Sequence, residues 1–240
     1  MRATASFLAL LVFFGVAIEA QGQAARPQFR PAVLGFGSNS LVNRIDTQAL
    51  LQAGQKNGAV MFCALLNTAG EPITSWTYRG MPDTTALEEE LTRRLQETKF
   101  TPAIYNHQPA GVLLYGTVFF LPDSKPSLRV FLNQDPQELK DASDFVGPQP
   151  VIGGDSQFKG LHLPAGELPV RLTGIVDLGL KVDKSGNLQE LQVLAEEPPL
   201  LGFGAAAGVD FRGAKFIPAF RNGDPTDSNT VLPVCYKPVE

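Results

Sequence analysis

Apolar and polar residues alternate along several short stretches of this chain, which is the pattern of β-strands with one buried face. The clearest example is residues 174–182, in which every second residue from position 176 is Val or Leu. Six such stretches fall into two groups of three. The predicted strands are residues 60–66, 71–78, 112–120, 174–182, 188–194 and 230–236.

A helix is predicted between the second and third strands of each group. In the first group, leucines recur every fourth residue from Leu87 to Leu95, after a helix start with Asp83 or Thr84 as the N-cap. In the second group the helix spans roughly residues 200–214 and is interrupted by four glycines. Each glycine costs about 1 kcal/mol relative to alanine, so the second helix is expected to be the weaker one.

One constant offset of 116 positions relates the two groups. Residues 99–103 read Lys-Phe-Thr-Pro-Ala, and residues 215–219 read Lys-Phe-Ile-Pro-Ala. Residues 106–109 and 222–225 each begin with Asn and end with Pro at the same offset. A single offset over this length indicates an internal duplication. We therefore expect an α+β fold of two tandem strand-strand-helix-strand modules with antiparallel sheets.

The duplication also sets the expected boundaries along the chain. The expected division is a flexible lead-in at 25–44, module 1 at 45–120, a connector at 121–172 and module 2 at 173–240. The connector is rich in Pro and Gly, but it contains a predicted strand at 128–132 and a predicted short helix at 135–142, so we expect it to be ordered. Another short helix is predicted at 45–55.

The N-terminus predicts export. Met1 and Arg2 precede an apolar run at residues 7–18, which together are typical of a signal peptide at residues 1–24. An uncleaved membrane anchor is the alternative, but a span needs roughly 20 apolar residues and this run is shorter. We expect a periplasmic or secreted protein with no membrane span after cleavage.

Charge and motifs favour no enzymatic class. The formal net charge is −4 without any Lys/Arg run, so no nucleic-acid partner is expected. Residues 202–207 have the letters of a dinucleotide fingerprint, but two prolines stand where its strand should end. His107 and His162 have no partner at ligand spacing, and residues 196–197 read as a solvated acidic loop. We therefore expect no catalytic residue, no cofactor and no metal.

Strand parity gives module 1 a second apolar face, on the side away from its helix; we call it the far face. Its residues are Met61, Cys63, Leu65, Tyr115, Thr117 and Phe119, joined by Trp76 and Tyr78 if no bulge shifts the hairpin. Such a face is too large to stay bare on a soluble monomer. Cover by the connector is favoured because residues 128–132 are apolar enough to supply it. Cover by module 2, or by a bound partner, is the alternative.

The chain has two cysteines, Cys63 and Cys235, and export permits their oxidation. The offset aligns Cys235 with Phe119, so both cysteines lie on far faces and a disulfide requires those faces to meet. Asp177 and Lys181 make the far face of module 2 a poor apolar partner. Two unpaired, mostly buried thiols are therefore favoured, with a disulfide as the alternative.

The order of elements and turns resembles the TonB C-terminal domain, the periplasmic module of energy transducers. The shared features are an Asn/Asp-x-x-Gly hairpin turn at 67–70 and 183–186, the Lys-Phe-x-Pro-Ala motif and the Asn turn before the last strand. The two copies cover a little over half of the chain. A transducer also has a long Pro-rich spacer, which this chain lacks, so force transmission by this chain alone is not expected.

The resemblance implies non-catalytic binding of an envelope protein or an extended peptide strand, such as an outer-membrane receptor, accessory to TonB-type transport. Binding would occur by β-augmentation at the exposed edge of a third strand. The candidate edges are residues 112–119 and 229–235, and Pro233 makes the second the poorer template because it lacks an N–H. The candidate binding residues are Tyr115, Thr117, Phe119, Val231 and Val234.

Two other functions stay open at this point. The modules could pack on each other as a structural envelope protein without a transferable ligand. The protein could also be a secreted enzyme with a site between the modules. The sequence does not determine the oligomeric state.

Overall fold

The computed structural model describes residues 26–133, 135–141, 144–164 and 172–237, and the predicted leader at 1–24 lies outside these ranges. The strands are β1 (Phe29–Arg30), β2 (Gly58–Leu66), β3 (Pro72–Met81), β4 (Ala103–Tyr105), β5 (Gln108–Phe120), β6 (Leu128–Phe131), β7 (Phe145–Val146), β8 (Gln149–Ile152), β9 (Gly174–Val182), β10 (Leu188–Glu197), β11 (Phe216–Ile217), β12 (Ala219–Arg221), β13 (Asp224–Thr226) and β14 (Ser228–Tyr236). The helices are α1 (Leu41–Arg44), α2 (Thr47–Gln52), α3 (Thr85–Glu97), α4 (Pro136–Asp141) and α5 (Phe203–Asp210), with a 3-10 turn at Gly37–Asn39.

The fold is mixed, with mostly antiparallel sheets and few helices, which confirms the predicted class at this level. An eight-stranded sheet contains the path β1-β4-β5-β2-β3, with β6, β8 and β11 attached to it. A three-stranded sheet has the order β10-β9-β14. Strands β13, β12 and β7 form a small third sheet.

The first sheet and α3 form an apolar core that matches the predicted leucine pattern. Leu87, Leu91 and Leu95 are completely buried, and they pack in one cluster with the inward residues of β2 and β5. Helix α3 begins after Thr84, one of the two predicted N-cap residues. The first predicted helix is therefore confirmed with its buried face.

The second sheet buries the Val/Leu face of β9. Val176, Leu178, Leu180 and Val182 are all buried, and α5 contributes Phe203 and Ala207 to the same cluster. Helix α5 is shorter than the predicted 200–214, because it starts after Gly202, which has a left-handed backbone, and ends at Asp210. Gly204 and Gly208 lie inside this helix, and Gly202 is its N-cap.

The lead-in differs from the predicted flexible segment at 25–44. Strand β1 pairs with β4, and α1 packs its buried Leu41 into the first core. Both main-chain polar groups of Ala32 are bonded to the side-chain amide of Gln149, each at 2.8 Å. Pairing of this backbone with the sheet and with the connector accounts for its order.

Two hairpin turns, 116 positions apart, have the same geometry. The side-chain oxygen of Asn67 accepts main-chain hydrogen bonds from the second and fourth following residues, and Asp183 does the same in its own turn. Each turn includes a glycine with positive φ, Gly70 at 77° and Gly186 at 78°. Side-chain capping of this kind is the reason that Asn and Asp are favoured in tight turns.

Each of these glycines also lies against the chain that follows the helix. The amide of Phe100 donates to the oxygen of Gly70, and the amide of Phe216 donates to the oxygen of Gly186, both at 2.9 Å. A Cβ on Gly70 would lie 2.3 Å from the Phe100 oxygen, and one on Gly186 would lie 2.1 Å from the Phe216 oxygen. Both positions therefore require glycine for close approach as well as for φ.

Candidate binding edges and interior groups

Strand β5, the first candidate for β-augmentation, is paired on both sides. β2 runs along one side of residues 112–120. On the other side, β6 pairs with residues 117–120, and β8 pairs with residues 111 and 112. Both ends of the predicted edge at 112–119 are thus occupied by strands of the same chain. β6 and β8 both belong to the predicted connector, so the connector supplies these pairing strands.

The three candidate residues on β5 therefore serve the interior of this protein. Tyr115 and Thr117 are each only 3 % exposed. The hydroxyl of Tyr115 donates to the main-chain oxygen of Pro148 at 2.8 Å, and burial raises the pKa of Tyr115. Phe119 is partly exposed and packs edge-on against Phe131 of β6, with ring centroids 5.7 Å apart. Thr117 and Phe119 lie where β6 already pairs with β5, and Tyr115 is buried.

The second candidate edge, on β14, has a different environment. In the described part of the chain, β14 pairs with β9 and with no other strand. Pro233 has no N–H, and its carbonyl accepts a hydrogen bond from the Tyr78 hydroxyl at 3.0 Å. The polar groups of Pro233 therefore face away from β9. Main-chain polar groups point to alternate sides from one residue to the next along an antiparallel strand. The N–H and C=O of Asn229 and Val231 therefore also face away from β9.

The two candidate residues on β14 differ in access. Val231 is partly exposed on the outward-facing part of the strand, whereas Val234 is only 2 % exposed and belongs to the second apolar cluster. Tyr78 covers the edge at Pro233. The accessible stretch of main chain is therefore 229–231, which lies N-terminal to the proline.

The far face of the first sheet is covered by the second sheet and by the connector together, whereas the sequence favoured the connector. The residues of the first sheet in the shared cluster are Cys63, Trp76, Tyr78, Leu113 and Tyr115. The second sheet contributes Cys235 from its facing side, with Ile175 packed against the cluster. The connector covers other parts of the face: Phe131 packs on Phe119, the Tyr115 hydroxyl donates to the Pro148 oxygen, and Phe158 lies in the cluster.

Asp177 does not prevent this packing, because a cation from the first sheet neutralises it. Arg79 donates to both carboxylate oxygens of Asp177, at 2.8 and 3.0 Å. The pKa of Arg79 is raised chiefly by this hydrogen bond. A bidentate pair of this kind is among the stronger charged contacts in proteins. From the sequence, Asp177 is expected to make this face a poor apolar partner, but Arg79, 98 positions away, pairs with it.

Both cysteines are free and buried, as favoured from the sequence. Burial raises the pKa of Cys63 well above its ordinary value, and the nearby Cys235 raises it further. Burial also raises the pKa of Cys235 to about 11, against the opposing effect of the adjacent Trp76. The thiols are thus unpaired although the far faces do meet, so free thiols do not imply cover by the connector.

His162 has a partner that the sequence did not reveal. Its Nδ1 lies 2.7 Å from one oxygen of Asp210, and its amide donates to the other at 2.9 Å. The Tyr236 hydroxyl donates to that second oxygen at 3.0 Å. The Asp210 side chain is 4 % exposed, whereas that of His162 is 70 % exposed. The contact spans 48 positions and follows no spacing rule, so local sequence gave no signal for it.

An Asp–His pair is also part of serine-protease triads, in which the histidine is hydrogen-bonded to a nucleophilic side chain. Within the described ranges, no Ser, Thr or Cys side chain is hydrogen-bonded to His162. A carboxylate that orients a histidine needs such a nucleophile to perform acyl transfer. The contacts that are present fasten the chain around His162 to α5 and β14.

Glu196 caps a helix instead of lying in a solvated loop. Its two carboxylate oxygens accept main-chain hydrogen bonds from Leu201, Phe203 and Gly204, at 2.9, 3.2 and 3.1 Å. These amides form the N-terminus of α5, where a negative charge is favourable. Residues 202–207, which have the letters of a dinucleotide fingerprint, therefore include the first turn of α5. The main-chain amides at this helix start are already bonded to the Glu196 carboxylate.

Comparison with family models, with curated proteins and with solved structures finds no match to this chain. Among the residues that the structure describes, no three His, Cys, Asp or Glu side chains lie together in a way that could hold a metal ion. No helix in the same ranges has the length and apolar character needed to cross a bilayer.

Proposed function

We propose that this protein is an exported, non-catalytic protein of the cell envelope that binds an extended strand of a partner by β-augmentation. The binding edge is the outer side of β14 around residues 229–231. The observation that carries the proposal is the one-sided pairing of β14, whose outward-facing main-chain groups at Asn229 and Val231 have no strand beside them in the described chain. Such groups are a template for another strand.

The pairing of β5 supports this mode of binding. At the offset of 116, Val231 corresponds to Tyr115 and Pro233 to Thr117, which lies on the paired edge of β5. There, β6 adds to the sheet as an antiparallel strand, with Thr117 opposite Phe131. The chain therefore already contains one added strand on the matching side of β5, at positions that correspond to residues 233–236 of β14.

The proposal includes two tandem modules of the TonB C-terminal kind, at residues 45–120 and 173–240, joined by the connector at 121–172. The matched turns at Asn67 and Asp183 and the matched contacts of Gly70 and Gly186 support the duplication. The TonB likeness itself depends on the sequence motifs. With a cleaved leader at 1–24, the protein would be periplasmic or secreted, and its partner would be an envelope protein, such as an outer-membrane receptor of TonB-type transport.

A structural role without a transferable ligand is the second candidate. The shared apolar cluster, the Tyr78–Pro233 hydrogen bond and the Arg79–Asp177 ion pair favour it, because they fix the two sheets to each other. In that case the β14 edge would have no partner in the cell.

Site-specific photocrosslinking distinguishes the two candidates. A photoreactive residue at Asn229, which is exposed, should form an adduct with an envelope protein in cells that export this protein. Val231→Pro should abolish the adduct, because it removes an outward N–H and leaves the bonds to β9 in place, as the native Pro233 does. Val231→Thr is the matched control, since it keeps the N–H, and it should retain the adduct.

The structural candidate gives a different result. It predicts no adduct at Asn229, or an adduct that Val231→Pro and Val231→Thr affect equally. Either result would remove the support for β-augmentation at this edge.

A further inference from the structure

A groove lies between β10 and α5 in the second sheet. It has a volume of about 410 Å³ and is lined by Leu188, Gln189, Glu190, Leu191, Val193, Gly208, Arg212 and Gly213. Leu191 and Val193 supply apolar surface from the strand. On the helix side Gly208 has no heavy atom within 4 Å of the place where a Cβ would lie. The groove can therefore accept a side chain from outside.

The corresponding place in the first sheet is closed. There, the hydroxyls of Thr77 on β3 and Thr92 on α3 lie 3.2 Å apart and connect the strand to the helix. At the offset of 116 their counterparts are Val193 and Gly208, which cannot form such a bond. The groove is open at this point because Gly208 has no side chain, whereas Thr92 has one at the corresponding position.

The strand wall of the groove is an open sheet edge. In the described chain β10 pairs only with β9. Asp177 lies opposite Pro233 of β14, which has no N–H to donate to it. The main-chain N–H and C=O of Asp177 therefore face β10, and those of Leu178 and Leu180 face β14. Leu191 lies opposite Leu180 and Val193 lies opposite Leu178. The main-chain groups of Leu191 and Val193 therefore face away from the sheet, while their side chains lie on the side of α5.

One charge in the groove lacks a counterpart. Glu190 is paired with Lys181 at 3.0 Å. The side chain of Arg212 is exposed and has no hydrogen bond or ion pair to any residue that the structure describes. The unbalanced charge of the groove is thus positive, and it complements a carboxylate.

We propose that this groove binds an extended peptide segment that carries an apolar side chain and a nearby Asp or Glu. The segment pairs with the main chain of Leu191 and Val193, its apolar side chain lies over Gly208, and its carboxylate contacts Arg212. Strand addition supplies affinity, and the pocket for an alternate side chain supplies selectivity. This site is on the opposite edge of the sheet from β14, so it does not depend on a ligand at residues 229–231.

Peptide display tests the proposal with a defined probe. A library of random extended heptapeptides is selected on the folded full chain and counter-selected on Gly208→Leu, whose side chain fills the groove from the helix. Val209→Leu is the matched control, because it adds the same side chain at an exposed neighbouring position that does not line the groove. Both substitutions favour helix formation, so thermal unfolding should show both variants folded.

Three measurements follow on one synthetic selected peptide, by fluorescence anisotropy. Gly208→Leu should weaken binding by about tenfold or more, and Val209→Leu should not weaken it. Arg212→Gln should weaken binding by about threefold, as expected for an exposed ion pair. Replacing the acidic residue of the peptide with Asn or Gln should weaken binding to the unaltered protein by the same factor. The same replacement should not weaken binding to Arg212→Gln any further.

Several results would overturn the proposal. They are selected peptides that bind Gly208→Leu as well as the unaltered chain, peptides without an acidic residue, or no enrichment at all. Val231→Pro separates the two sites. Peptide binding that is lost in Val231→Pro and unaffected in Gly208→Leu would assign the peptide to the β14 edge.

Discussion

The hydroxyl of Tyr78 donates a hydrogen bond to the main-chain oxygen of Pro233, 155 positions later in the sequence. The bond joins β3 of the first sheet to the outer side of β14 in the second. It also shows that the carbonyl of Pro233 faces away from β9. Proline has no N–H, so this carbonyl gives the direction of the main chain at that position. The position of the open edge at residues 229–231 follows from this contact.

Removal of this hydroxyl should destabilise the protein. Tyr78→Phe leaves the buried oxygen of Pro233 without a donor, which costs about 1–3 kcal/mol of unfolding free energy. Chemical denaturation measures the change. Tyr105→Phe is the control, because its hydroxyl makes an exposed 3.3 Å contact with Asp155, and it should change stability by less than about 0.5 kcal/mol. Equal effects of the two substitutions would contradict the buried hydrogen bond.

Helix α3 should contribute more to stability than α5 does. Leu91→Ala removes a fully buried side chain and should cost about 2–5 kcal/mol. At the corresponding position, Ala207→Gly should cost about 1 kcal/mol through helix propensity. Denaturant midpoints compare the two variants. Small and equal shifts would show that the leucine face of α3 is not a core.

Much of this core could be predicted from the sequence. The spacing from Leu87 to Leu95 located α3, and alternation along residues 174–182 identified the buried face of β9. These patterns succeed because they depend on neighbours along one element, whose geometry is fixed at 3.6 or 2 residues per repeat.

Contacts between elements could not be predicted in the same way. Asp177 appeared to oppose packing of the far faces, because nothing nearby in sequence identifies Arg79 as its partner. The pairing of β6 with β5 was missed for a similar reason. The strand at 128–132 was predicted, but its alternation does not specify which edge it joins. Among the candidate residues, only Val231 is on an accessible edge.

Glu90 should make stability depend on pH. Burial alone would raise the pKa of Glu90, but hydrogen bonds from Arg94, the Asp46 amide and Arg93 outweigh it and hold the pKa below its ordinary value. A lowered pKa in the folded state stabilises the protein above the ordinary glutamate range, and this stability is lost as pH falls through the folded pKa.

The variant Glu90→Gln isolates this effect. At neutral pH it should be less stable than the unaltered protein by about 1 kcal/mol or more, because it loses charged hydrogen bonds. The difference should shrink as pH falls below the ordinary glutamate range, and denaturation at several pH values measures it. A difference that is constant with pH, or one that grows in acid, would contradict this account of Glu90.

The two thiols should be reduced in the folded protein. Thiol labelling of the unfolded, unreduced chain should modify both Cys63 and Cys235, since both are free in the structure. In the folded protein labelling should be slow, because burial raises the pKa of both thiols and leaves little thiolate. Labelling that appears only after addition of a reductant would establish a disulfide between the two sheets.

The central claim is that the outer side of β14 is free in the protein alone and is occupied by a partner strand. Amide hydrogen exchange measured by NMR tests it residue by residue. In the free protein, Asn229 and Val231 should exchange fast, while Thr230 and Leu232, which face β9, should exchange slowly. Addition of the envelope protein captured at Asn229 should slow exchange at Val231. Slow exchange at all four positions in the free protein, or unchanged exchange at Val231 in the complex, would contradict the account.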